Sequence, residues 1–111
     1  MNIVAIVGNV ASEPELRHTS QGRAICSFRV AVSRPGGDEA DFFTVAAWER
    51  QAEVCKEYLA IGRRIAVDGR MHCRMEVAPD GMRASRIEIV AHRVELLGRG
   101  AEAAEPVEVG A

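Results

Sequence analysis

Ile3 to Val10 is apolar at odd and even positions alike, the pattern of a strand covered on both faces or of one that also serves a subunit contact. This run is therefore the expected oligomer edge. Glu13 to Gly22 follows with Pro14, Thr19, Ser20 and Gly22, which read as turn chemistry around a short polar stretch. Arg23 to Val32 then alternates with a period of two, placing Cys26, Phe28, Val30 and Val32 on one face and Ser27, Arg29 and Ala31 on the other. Pro35, Gly36 and Gly37 mark the segment 33–41 as a loop, and a third strand is expected from Phe42 to Trp48. Its Phe43, Val45 and Ala47 suit a core, which leaves Phe42, Thr44, Ala46 and Trp48 on the opposite side. Two large rings on the polar face of a strand require a reason.

From Glu49 to Leu59 the period becomes helical, with Ala52, Cys55 and Leu59, and Val54 and Tyr58, recurring at spacings of three and four, and Gly62 in a C-cap role. A long strand is expected from Arg64 to Val77, with Ile65, Val67, Met71, Cys73 and Met75 facing inward and Arg64, Asp68, Arg70, His72 and Arg74 outward. Gly69 lets it bend. Pro79, Asp80 and Gly81 form a hairpin turn, Met82 to Val90 returns, and Val94 to Leu97 adds a last short strand. Three strands, one helix and two strands, with a glycine where a small barrel must curl, is the order of an OB-fold. The expected fold class is thus all-β with one helix: a five-stranded Greek-key OB barrel over residues 1–98, the helix lying between strands 3 and 4, and a short flexible acidic tail at 99–111.

Composition sharpens this picture at a few points. An apolar fraction of 48% with 27% charged residues excludes a disordered chain, and 111 residues fit one domain. Net charge is −2, which alone argues against a polyanionic partner. The distribution of charge points the other way: all 14 basic residues precede position 101, whereas Glu102, Glu105 and Glu108 follow it with no base. Apart from Lys56 every basic residue is arginine, whose planar fork suits phosphates and stacks on bases, although high genomic GC content also enriches it.

The opening run has no basic leader and is followed at once by Glu13 and Glu15, so neither a signal peptide nor a membrane span is expected and the cytoplasm is the expected compartment. Cys26, Cys55 and Cys73 are odd in number and lack C-x-x-C spacing, and His18, His72 and His92 show no ligand spacing with them. Reduced, mostly buried thiols and no metal or cofactor are expected. Gly8, Gly22 and Gly98 form no phosphate loop, Glu49 and Glu53 suit the positive end of a helix dipole, and no serine or threonine has a basic partner, so no enzyme is expected.

Taken in order, I-V-A-I-V-G-N-V with E-P-E-L-R, then G-R-A-I-C-S-F-R-V-A-V-S, then A-E-V-C-K-E-Y-L-A-I-G-R-R-I-A-V-D-G-R, the chain resembles the bacterial single-stranded DNA-binding protein family over residues 1 to 98. The resemblance implies a sequence-tolerant binder of single-stranded DNA in replication, repair and recombination, nucleoid-associated, and assembled as a homotetramer through the Ile3 to Val10 edge and sheet faces. It matches Phe42 and Trp48 to the family's two stacking positions on the third strand, Arg50 to a basic position just beyond, and Arg74 to one on the fourth strand.

Several positions depart from that pattern. Two positions where well-known members carry tryptophan align with Gly36 and Glu76, the position after Phe42 is Phe43 rather than histidine, and the loop 33–41 is short and holds Asp38, Glu39 and Asp41. The resemblance also implies an acidic tip closed by Pro-Phe that recruits replication proteins. This sequence closes on Val107 to Ala111 without it, so such recruitment is not expected.

The expected binding set is Phe42 and Trp48 for base stacking, with Arg29, Arg34, Arg50, Arg70, His72, Arg74, Arg83 and Arg86 toward phosphates. The plainer alternatives are rings buried under the helix or in a subunit contact, and arginines that are solvated surface charges. Two other readings stay open: an OB-fold protein-interaction or assembly module, and a binder of single-stranded RNA.

Overall fold

The computed structural model describes residues 1–98 and 108–109. Its strands are β1 (Val4–Val10), β2 (Glu15–His18), β3 (Ala24–Ser33), β4 (Ala40–Trp48), β5 (Arg64–Val77), β6 (Arg83–Leu96) and β7 (Glu108–Val109), with helix α1 (Arg50–Tyr58) between β4 and β5. The sheet runs β1-β5-β6-β4-β3-β2, and β1 also pairs with β3 at Asn9 and Val10, which closes β1, β3, β4, β5 and β6 into the five-stranded OB barrel. Closure is uneven, because β4 meets β6 in parallel at only two registered pairs, Val45 with Ile89 and Ala46 with Val90.

Alternation builds the core as the sequence pattern requires. Cys26, Phe28 and Val30 from β3, Val45 and Ala47 from β4, Ile65 and Val67 from β5, and Ile89, Ala91, Val94 and Leu96 from β6 are buried together. The helix closes one end of the barrel with Ala52, Cys55 and Leu59. Burial of this kind stabilises by roughly 25 cal/mol per Å² of apolar surface, which outweighs the modest helix propensity of a nine-residue segment. Glu49, at the junction of β4 and α1, has φ 58 and ψ −127, a left-handed conformation that favours glycine, and its amide donates to the Ala24 carbonyl at 2.8 Å. The helix ends at Leu59, whose N–H donates to the Cys55 carbonyl, and Gly62 (φ 93) shapes the turn beyond it rather than capping it.

Several elements differ from the sequence expectation. Glu15–His18 pairs with β3 instead of forming only a turn, and the two short strands expected after the hairpin are one continuous β6. The register of β6 against β5 shifts between Asp68 and Gly69, so that His92 is the extra residue. Met71, Cys73 and Met75 do not enter the core: all are exposed, Met75 at 61%. They keep the inward parity, but β5 and β6 run on past the point where β4 closes the barrel, and among the described residues nothing covers the inward face of this arm. Most of the expected flexible tail at 99–111 lies outside the described residues; 108–109 pair with Glu95 and Val94 of β6.

Gly69 sits where β5 presses against β6, and a Cβ there would be driven into the Val90 carbonyl. Gly69→Ala is therefore expected to lower unfolding free energy by about 1 to 3 kcal/mol, read from urea denaturation of the two proteins. Equal midpoints would show that the strands can part without cost.

Candidate nucleic-acid interface

Strand β4 carries its two rings outward because the pleat that buries Val45 and Ala47 turns alternate residues the other way. Phe42 is 53% exposed and Trp48 partly exposed. Ala46, on the same side, is fully covered, its methyl enclosed between the flanking strands at Ser27 and Val90. Neither ring is sealed in the core.

Each ring has a guanidinium above it. Arg29 Cζ lies 4.8 Å from the centroid of Phe42, and Arg23 Cζ lies 4.7 Å from that of Trp48. At exposed sites such pairs contribute about 0.5 to 1 kcal/mol, less than the roughly 1 to 3 kcal/mol of a stacked base. A base can therefore displace or join the guanidinium without net loss.

Trp48, Arg50, Arg70 and His72 line one cleft of about 560 Å³. Arg74 and Arg86 line a neighbouring one of about 440 Å³, together with Thr44 of β4. Trp48 thus opens onto the outer face of the β5–β6 arm, where Arg70, His72 and Arg74 alternate along β5 opposite Val90, Glu88 and Arg86. Two carboxylates share this face. Glu76 accepts from Arg86 at 2.9 Å and lies 3.9 Å from Arg74, and Glu88 lies 3.9 Å from Arg74 and 3.4 Å from His72. The pairs of Glu76 with Arg74 and Arg86 face solvent and are worth about 0 to 1 kcal/mol, so a phosphate can compete for those guanidiniums, whereas the Glu88 carboxylate is largely covered.

Two expected residues fall elsewhere. Arg34 stands in the loop after β3 and is held by Glu39 and Asp41, both at 2.8 Å, so its charge is shared between two carboxylates and the segment stays acidic. Arg83 pairs with Val77 and takes the parity of Ile87, on the arm's apolar face away from Arg74 and Arg86.

Two residues of this region lie outside the expected binding set. Arg23 immediately precedes β3, where its carbonyl accepts from the Thr19 N–H at 2.9 Å, and the alternation of 23–32 gives it the outward face of Arg29. Gln51 lines the Trp48 cleft yet is only 6% exposed; its Nε2 donates to the His92 carbonyl at 2.8 Å, and its buried Oε1 has no hydrogen-bond partner among the described residues. That bond fixes the bulge of β6 against α1, a long-range contact invisible to periodicity.

Chemistry beyond binding finds no anchor at the cysteines. Burial pushes the Cys26 thiol up to about 11 and the Cys55 thiol up to about 12, so both stay protonated and inert, whereas Cys73 is exposed beside the Ser85 hydroxyl. Among the described residues no group of three or more His, Cys, Asp or Glu side chains is placed to hold a metal ion. No helix among them is long and apolar enough to cross a membrane.

An OB barrel with an open aromatic and cationic face is the class of protein these features define. The profile of the single-strand binding protein family matches residues 1–97, and the chain belongs to that family. It is similar to the single-stranded DNA-binding protein of Treponema pallidum, with 38% identity over 104 residues, covering 88% of this chain and 58% of that protein. Single-stranded DNA-binding protein 3 of Listeria innocua is 40% identical over 102 residues, 87% of this chain and 64% of its own length. Single-stranded DNA-binding protein 3 of Clostridium acetobutylicum is 39% identical over 105 residues, 90% of this chain and 73% of its own length. The chain thus spans less than two thirds of the Treponema and Listeria relatives.

Proposed function

We propose that this protein binds single-stranded DNA with little sequence preference, in the cytoplasm at the nucleoid, serving replication, repair and recombination without catalysis of its own. The observation that carries this reading is the placement of Phe42 and Trp48 on the outer face of one strand, with Trp48 in a cleft lined by Arg50 and Arg70 and Thr44, between the rings, in one lined by Arg74 and Arg86. Family membership and the names of the relatives support it. Phosphates are captured by guanidiniums with release of counterions, and unpaired bases then stack on the rings, which a duplex cannot offer. Assembly into a homo-oligomer, a tetramer in the fullest form, uses the outer edge of β1. Among the described residues Val4 to Gly8 pair with β5 alone, and Ile3 (72% exposed) and Val7 stay open to solvent, an edge suited to a second copy.

Trp48→Ala is expected to weaken oligo-dT binding about tenfold or more while leaving the melting temperature nearly unchanged, as measured by fluorescence anisotropy with a labelled oligonucleotide. Unchanged affinity would remove the stacking role. In a salt titration of the unmodified protein, log K against log salt should fall with a slope between about −2 and about −4, since each neutralised phosphate of a single strand contributes about −0.7. A flat line would mean that the arginines do not meet phosphate. Val7→Glu, placing like charges across a β1–β1 contact, should shift sedimentation from oligomer to a smaller species; an unaltered profile would assign assembly to another surface.

A further inference from the structure

The two ring–guanidinium contacts repeat one geometry. In the β3–β4 register Ile25 faces Trp48 and Arg29 faces Thr44, so Arg23 and Arg29 each lie two residues diagonally from the ring they cover, and both rings and both arginines are six positions apart. One strand thus presents two rings about 20 Å apart, and the adjoining chain covers both with the same diagonal offset.

Neither cover is locked. Beyond the ring it covers, the Arg23 guanidinium has among the described residues a single ion pair, 3.5 Å to Glu49, both side chains more than half exposed. Arg29 is bonded through its backbone N–H to Ser12 Oγ, which leaves its guanidinium free of other partners among the described residues. Resting on the proposed single-strand binding, we infer that Arg23 and Arg29 are base-sandwiching residues: each lifts from its ring, admits one base, and stacks on the base's outer face. A base needs about 3.5 to 4.0 Å on either side. The guanidinium must therefore retreat by about 2 to 3 Å, which arginine's own torsions supply without backbone motion. A lysine in the same place carries the charge but has no plane to stack, so the proposal separates planarity from charge.

The test compares the wild-type protein with the Arg23→Lys/Arg29→Lys double variant on oligo-dT and on an abasic deoxyribose-phosphate strand of equal length, each across a salt series. The expected result is a preference for oligo-dT over the abasic strand that falls about tenfold in the variant, while abasic affinity and salt slopes stay the same. Because the readout is a ratio within one protein, a change in folded fraction cancels. A variant that keeps the full wild-type preference would overturn the sandwich and leave ring stacking intact. A wild-type protein with no preference for oligo-dT would sink the stacking reading and the sandwich together.

Discussion

A strand that sends every second residue into a core must send the others out, and β4 obeys this with large side chains on both faces. Val45 and Ala47 are committed to the barrel interior, so Phe42 and Trp48 have no inward alternative. A register slip by one residue would bury the rings and expose the core, which makes the open aromatic face inseparable from the stability of the fold. What the protein offers to a ligand is in this sense the reverse side of its hydrophobic core.

Barrel closure decides where the charge goes. β5 and β6 outrun their contact with β4, and the bulge at His92, held by Gln51, sets the register with which they leave. The outer face of the resulting arm carries Arg70, His72, Arg74 and Arg86 up to the Trp48 cleft. A formal net charge of −2 is therefore no obstacle to a polyanionic ligand, since Arg50, Arg70, Arg74 and Arg86 are gathered in clefts at Trp48 and Thr44.

Much of this is legible in the sequence, for identifiable reasons. The β3, β4 and α1 assignments rest on strong periodicity, and the structure reproduces them within two residues at each end. β2 escapes such a reading because Glu15–His18 is short, polar and solvent-facing, paired along β3 with no alternation to mark it. The inward placement of Met71, Cys73 and Met75 fails because parity says which side a residue faces but not whether anything lies there. Alternation gives Arg23 the face of Arg29, but the ring it covers is set by the β3–β4 register, and Gln51 acts through the β6 bulge, which no local pattern encodes. Arg83 and Arg34 have the right residue type at places that the alternation of β6 and the acids of the loop withdraw from the clefts.

The central claim is that bases contact the outward rings, and the single tryptophan makes it directly measurable. Titrating the protein with oligo-dT while following Trp48 emission should give strong, saturable quenching as bases stack on the indole. Full occupancy by anisotropy with Trp48 emission unmoved would place the strand elsewhere on the molecule and contradict the account.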